Sequence, residues 1–277
     1  MPREVVRAFS FSAPFTGKVR DVLRNRFSAR FCSFLKKELG RVAVNGIPVT
    51  AITQVTAGDT VTVRFSEPKS EKLPPCQVPY AVRYEDEDVL VVEKGKGIPT
   101  VYGFGHENNN LLGALSADYE NANCHIVTRL DKDTQGLVLV AKTGVMHSIL
   151  QAEGVNRTYL ALLTGKLNKP VRVDAPIARG TDITRVPAYD GKPSVTDFFP
   201  EKTVGENTLC KVVPLTGRTH QIRVHAKLLS HPLVGDTLYG NAVGAYNGGQ
   251  ALICYELTFR HPVTGELVTV TAKNLDF

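Results

Sequence analysis

Asp131 is the residue most readily given a chemical task. It lies in Arg129-Leu130-Asp131-Lys132-Asp133-Thr134-Gln135-Gly136, a charged run that ends in a turn-permitting glycine. Leu137 to Ala141 follows as an unbroken apolar stretch, the signature of a strand buried on both faces. A polar loop that feeds a buried strand is anchored at one end, so it can hold a carboxylate in place as an acid, a base or a nucleophile. A solvated turn with a charged tip fits the same residues equally well. A calcium loop fits worse. Asp131, Asp133 and Gly136 occupy positions one, three and six of that pattern, but Lys142 stands where the bidentate Glu belongs, and a strand follows instead of a helix.

Two further stretches carry candidates. Arg157-Thr158-Tyr159-Leu160-Ala161-Leu162-Leu163-Thr164-Gly165 reads as a strand, in which Tyr159 by itself is a core tyrosine with a hydrogen-bonded hydroxyl. Leu215-Thr216-Gly217-Arg218-Thr219-His220-Gln221-Ile222-Arg223-Val224-His225 predicts a helix from near Thr219 that stops before Pro232. Ile222, Ala226 and Leu229 would form its buried stripe, with His220, Arg223 and Lys227 on another face. His220 and His225 lack the spacing of a metal pair and have no carboxylate nearby in sequence, which argues against zinc.

The elements that must position these residues need a sizeable core, and the chain has 277 residues with 43% apolar and 22% charged content, enough for a catalytic domain and a smaller one. No stretch has the length of a membrane span or the pattern of a signal peptide. Cys32, Cys76, Cys124, Cys210 and Cys254 are dispersed, without a Cys-x-x-Cys pair, which fits reduced thiols in a cytoplasmic protein and neither zinc nor a disulfide framework. The net charge of +6 is localised: residues 1–45 hold ten basic residues against three acidic ones, so the remainder is slightly negative. Lys18, Arg20, Arg24, Arg26, Arg30, Lys36, Lys37 and Arg41 belong to that basic segment, which points to a polyanion partner or else to a solvated helix face.

Residues 17–41 predict two short helices, the second capped by Ser28. Val42 to Val44, Val49 to Ile52 and Thr60 to Phe65 predict strands, with Asn45-Gly46 and Gly58-Asp59 as turns. Residues 66–79, rich in proline and polar side chains, predict a linker between a domain at 1–66 and another at 80–277, so that 67–79 joins the two. Beyond it, Tyr84 to Lys94 is an acidic turn followed by a strand, Asn110 to Tyr119 and Val145 to Ala152 have helical spacing, and Leu257 to Pro262 and Val268 to Ala272 close the chain as strands.

Thr128-Arg129-Leu130-Asp131-Lys132-Asp133-Thr134-Gln135-Gly136 resembles the signature of the RNA pseudouridine synthases that modify large-subunit ribosomal RNA and tRNA, which reads His-Arg-Leu-Asp, two variable residues, then Thr-Ser-Gly. Thr128 and Gln135 depart from it. Tyr159-Leu160-Ala161 is similar to the family's second motif, and Gly217-Arg218-Thr219-His220-Gln221-Ile222-Arg223 to its third. Gly191 to Asp197 and Gly235-Asp236-Thr237-Leu238-Tyr239-Gly240 match further family segments, whereas Lys94-Gly95-Lys96-Gly97 lacks the family's proline and Cys254-Tyr255 replaces a frequent His-Ala. Arg41-Val42-Ala43-Val44-Asn45-Gly46 and Gly58-Asp59-Thr60-Val61 resemble the S-four-type RNA-binding module that commonly precedes the catalytic domain.

The resemblance implies an α+β fold: a large mixed, mostly antiparallel sheet with flanking helices, plus the small N-terminal RNA-binding domain. It implies isomerisation of uridine to pseudouridine within ribosomal RNA or tRNA by one chain acting as a monomer, without cofactor, metal or membrane. Asp131 would be the essential carboxylate, either as nucleophile at C1′ or as a base on the ribose. Arg223 would pair with it and keep it ionised. Tyr159 would stack on the flipped uracil and take the C5 proton directly or through water. Arg129, Lys192, Arg218 and His220, with the N-terminal cations, would contact RNA. Two other readings compete: an inactive RNA-binding protein that keeps the fold, which has no need of all three catalytic candidates, and a small-molecule nucleosidase, which has no need of a basic N-terminal module.

Overall fold

The computed structural model describes residues 4–37, 41–70, 73–103, 105, 107–120, 122–181, 183–240 and 249–276. An N-terminal unit is built from β1 (Glu4–Ser12), β2 (Gly17–Lys18), α1 (Val19–Arg26), α2 (Ala29–Lys37), β3 (Val42–Val44), β4 (Ile47–Pro48), β5 (Gln54–Val55) and β6 (Thr60–Pro68). Val19, Val22 and Leu23 give α1 its inward face, and the Ser28 Oγ accepts from Phe31 N at 3.1 Å, capping α2 as its sequence predicts. Asn45 and Gly46 turn β3 into β4 with φ of 50° and 80°, the geometry that tight hairpins favour. Phe9, Phe27, Phe31, Phe34 and Phe65 pack edge-on or stacked at centroid distances of 5.1–6.1 Å and form the unit's core. The strand expected at Val49 to Ile52 is absent there; the pairing residues are Ile47 and Pro48. The carbonyls of Ala51 and Thr53 accept instead from Arg20 N and Val19 N, two amides that begin α1 without intrahelical partners.

The rest of the chain comprises β7 (Tyr80–Glu85), β8 (Val89–Lys94), α3 (Leu111–Asp118), β9 (His125–Ile126), β10 (Gln135–Ala141), α4 (Gly144–Glu153), β11 (Val155–Thr164), β12 (Val171–Asp174), β13 (Ile177–Arg179), β14 (Arg185–Pro187), β15 (Val195–Val204), β16 (Asn207–Pro214), α5 (Gln221–Leu228), β17 (Leu252–Arg260) and β18 (Leu267–Thr271). Among the described residues ten of these strands form one sheet in the order β12-β15-β16-β11-β17-β10-β8-β7, with β18 on β17 and β9 on β10, while β13 and β14 pair separately. The pairing is antiparallel except between β10 and β17, which run parallel over Gln135↔Ile253 and Gly136↔Cys254. The architecture is the expected α+β sheet. Gly136 to Ala141 are all buried, as a strand covered on both faces requires. Gly136 has φ of 110°, and a Cβ there would lie 2.2 Å from the Cys254 carbonyl oxygen, so β10 and β17 meet only because this residue has no side chain.

The expected linker begins inside β6, where Ser66, Glu67 and Pro68 pair with Val6, Val5 and Glu4. Glu67 then accepts from Asn123 Nδ2 at 2.7 Å and Gly144 N at 2.9 Å. Arg7 bridges Glu87 and Asp88 at 2.8 Å each, and Ser28 N donates to Val263 O at 2.7 Å. A single apolar cluster contains both Phe31 and Val138. The N-terminal unit is therefore packed onto the large sheet.

Candidate active site

The loop between β9 and β10 carries Asp131, and several groups hold it rigid. Thr100 Oγ1 donates to Leu130 O at 2.7 Å and accepts from Leu130 N at 3.2 Å. Lys94, at the end of β8, is 1% exposed and donates to the carbonyls of Lys132 (3.0 Å), Thr134 (2.6 Å) and Gly95 (3.1 Å). Burial pushes the Lys94 ammonium down to about 7, against the opposing pull of Asp131 and Asp133. The two departures from the family signature both have structural tasks. Thr128 Oγ1 accepts from Leu139 N at 2.9 Å, and the Gln135 amide donates to Asp276 O.

Arg223, on α5, reaches this loop. Its Nη1 lies 3.4 Å from Asp131 Oδ2. Its tighter partner is Asp236, fully buried, which accepts from Nε and Nη2 at 2.8 Å each. The expected Asp131–Arg223 contact is one link of a longer chain, Asp236–Arg223–Asp131, in which Asp236 accepts from Nε and Nη2 and leaves Nη1 for Asp131. Asp236 also accepts from Leu238 N and Tyr239 N at 3.0 Å, which fixes its own orientation. Burial works against both charges, but the Arg223 hydrogen bonds hold Asp236 below the usual carboxylate range, and Asp236 followed by Asp131 holds Arg223 above its ordinary value.

α5 begins at Gln221, later than the start near Thr219 that the sequence predicts. His220 precedes it in the left-handed region, with φ of 57° and ψ of 15°. That places His220 Nε2 3.9 Å from Asp131 Oδ2, while Nδ1 meets the Tyr239 hydroxyl at 2.9 Å. Gln221 to Ala226 are all buried, so the predicted division into one buried stripe and one polar face gives way to a helix enclosed on both sides over its first turns. Burial lowers the His220 pKa despite the opposing pull of Asp131.

Tyr159, on β11, is 6% exposed. It stands opposite Cys254 and Val212, beside a register shift in the ladder to β17. Burial, then the neighbouring Cys254, push its hydroxyl above the ordinary tyrosine value against the opposing pull of Arg157, with Asp131 adding to the rise, so it is a neutral phenol at physiological pH. Asp131, Tyr159 and Arg223 line one cleft of about 550 Å³, together with Arg129, Arg157, Arg218, His220 and the backbone of Gly217. Asp131 is the acidic residue of that lining, against four arginines.

The remaining RNA-contact candidates lie elsewhere. Lys192 is exposed and outside the cleft lining, on the loop whose Pro193 carbonyl accepts from Arg218 Nε at 3.2 Å. Lys18, Arg20, Arg24, Arg26, Arg30 and Arg41 are on the N-terminal unit. Arg20 and Arg24 lie near Asp21, Arg30 pairs with Glu153 at 3.0 Å, and Arg41 covers the Phe34 ring at 5.0 Å. The side chains of Lys36 and Lys37 lie outside the described residues. Asp236, Lys94, Thr100 and Arg157 carry no functional signal in the sequence. Asp236 is visible there only as part of a turn.

The description "RNA pseudouridylate synthase" belongs to the family model that matches residues 88–228, a span that includes Asp131, Tyr159 and Arg223. An uncharacterized RNA pseudouridine synthase of Bacillus subtilis is 39% identical over 86% of this chain and 88% of its own. The chain belongs to the RNA pseudouridine synthase family. It is therefore an isomerase that converts uridine in RNA to pseudouridine. Ribosomal large subunit pseudouridine synthase D of Vibrio parahaemolyticus is 36% identical to this synthase over 82% of its length and 77% of the relative's. Among solved structures, human RNA pseudouridylate synthase domain containing 1 superposes with a TM-score of 0.58 at 27% identity, covering 76% of this chain and 89% of that one.

Proposed function

We propose that this synthase acts on large-subunit ribosomal RNA, and that Asp131, Arg223 and Tyr159 carry the reaction. The observation that carries the reading is the chain Asp236–Arg223–Asp131, whose Arg223 and Asp131 line one cleft with Tyr159. The substrate class is supported by relatives named as ribosomal large subunit synthases D and C.

A paired uridine is out of reach, so it must be flipped into the cleft, at a cost of a few kcal/mol. Tyr159 presents a flat, neutral ring for the uracil, and Arg129, exposed at the rim, is placed to fill the vacated stack. Breaking the N1–C1′ bond builds positive charge on the sugar, which the Asp131 carboxylate stabilises, either by bonding to C1′ or by taking a ribose proton. The uracil turns, C5 bonds to C1′, the C5 proton leaves, and N1 ends with a proton, so the product has the atoms of the substrate. No electron or group is transferred, so the chemistry calls for no cofactor or metal. A neutral phenol can take the C5 proton only as it gives up its own, so Tyr159 would relay a proton, directly or through water, toward N1. The cleft must also keep bulk water from the sugar.

The N-terminal unit, with its S-four-like order of two helices and a hairpin sheet, serves as an RNA grip. Arg30 bonds to Glu153 at the end of α4, next to Gly154 and Val155 of the cleft lining, which supports a continuous path from the cleft to that unit. Mapping pseudouridines in RNA from cells with and without the protein tests the substrate. Loss of one or more sites in large-subunit ribosomal RNA is expected; loss confined to tRNA would overturn the ribosomal assignment.

A further inference from the structure

Arg157 has no part in the chemistry above, yet it is the least explained charge in the cleft. Its Nε is buried without a hydrogen-bond partner among the described residues. The other arginine on the cleft floor, Arg223, has Asp236 on both prongs. Arg157 has no carboxylate within ion-pair distance among the described residues, and the nearby Glu256 accepts instead from Thr158 at 3.2 Å. Leaving a guanidinium partly desolvated and unmatched is unfavourable unless a ligand completes it. The opposite wall makes room for it: a Cβ at Gly217 would lie 2.8 Å from Arg157 Nη2 and 3.2 Å from Nη1. Arg157 is two residues before Tyr159 on β11, about 6–7 Å along the strand. That is comparable with the span from a uracil ring to a phosphate flanking its ribose. A planar fork with free donors matches a phosphate bidentately.

We infer that Arg157 binds a backbone phosphate next to the flipped uridine, and so fixes the register of the RNA in the cleft. This rests on the cleft being the uridine site. Gly217 keeps the opposite wall bare so that the guanidinium can lie against backbone. Arg157 is a binding residue, not a catalytic one: its role is to load the substrate.

The test uses RNA from cells lacking the protein, which carries the target uridine unmodified whichever RNA it belongs to. Pseudouridine formation is followed for the wild type, Arg157→Gln, Arg157→Lys and Gly217→Ala over a range of potassium chloride concentrations. Removing one charge-assisted hydrogen-bonded pair predicts kcat/KM lower by roughly 10- to 100-fold in Arg157→Gln. The slope of log kcat/KM against log salt should be shallower by about 0.7, the value for one phosphate neutralised on single-stranded RNA. The single-turnover rate at saturating RNA should be nearly unchanged. Arg157→Lys should restore the slope but not the full affinity, and Gly217→Ala should weaken binding with the slope kept. A merely structural role would not move the salt slope. An unchanged slope in Arg157→Gln, including a loss of affinity without it, would overturn the phosphate assignment, as would a lost saturating rate. If the wild type converts no uridine in this RNA, the reading of the cleft fails first, and this inference falls with it.

Discussion

Asp236→Asn isolates the part of the site that the sequence did not foreshadow. Asp236 is fully buried and accepts two 2.8 Å bonds from Arg223. Asparagine can still accept from Arg223 Nη2 and from the amides of Leu238 and Tyr239, but it turns an N–H₂ group toward Arg223 Nε. A buried guanidinium then loses its counter-charge. Breaking a buried pair on one side costs roughly 3–5 kcal/mol, and the hydrogen bonds that Asn keeps favour the lower end of that range. The pH dependence follows from the depressed folded-state pKa. Asp236 contributes its stability above its unfolded value of 3.8 and loses it as pH falls through the lower folded value. Denaturant unfolding should therefore show a gap between wild type and variant that is constant from pH 7 to about 5 and narrows below about 4. Arg223 would no longer be held toward Asp131, and a misplacement of about 1 Å can cost about 100-fold in rate. Single-turnover conversion measures that directly. A variant with wild-type stability, or one that is destabilised yet converts uridine at the wild-type rate once folded, would refute the idea that Asp236 aims Arg223.

Tyr159→Phe keeps the ring and removes the hydroxyl. Unaltered RNA affinity with a slower single-turnover rate is expected if the hydroxyl relays the C5 proton, and an unchanged rate would leave stacking as its whole role. Gly136→Ala forces a Cβ to 2.2 Å from the Cys254 carbonyl oxygen at φ of 110°, so β10 and β17 must part. The loss should exceed about 4 kcal/mol, read as failure to recover soluble, folded protein. Replacing Arg20, Arg24 and Arg26 together by Gln should flatten the salt dependence of RNA binding by roughly 0.7 for each phosphate that is no longer neutralised, with little change in saturating rate. This set is preferable to deleting residues 1–66, because Arg7, Ser28 and Glu67 tie that unit to the large sheet.

The parts of this molecule that were legible in sequence share a short range. The buried strand at Leu137 to Ala141, the cap at Ser28, the Asn45-Gly46 turn and the helices α1 and α2 each follow from residues within a few positions of one another. A charged loop abutting a strongly apolar strand made Asp131 a candidate, and the resemblance of its motif to the synthase signature gave it a role. The sequence erred where a distant partner decided the outcome. Ala51 and Thr53 lend their carbonyls to α1 and so leave the hairpin sheet. α5 starts late because His220 adopts a left-handed conformation between Asp131 and Tyr239. The clamp of Asp236 on Arg223 and the three carbonyls gathered by Lys94 join residues that no periodicity links. Arg157 is singled out only by the structure, which places it in the cleft lining without a counter-charge among the described residues.

In the proposed reaction Asp131, aimed by Arg223 and Asp236, is the group that reacts with the ribose. Asp131→Asn keeps the size of the side chain and removes the carboxylate, so neither attack on C1′ nor proton abstraction remains available to it. The direct measurement is single-turnover pseudouridine formation by this variant, on RNA from cells lacking the protein, alongside its affinity for that RNA. Near-normal binding with no pseudouridine formed is the expected result. Conversion at the wild-type rate would contradict the account and require another residue to carry the reaction.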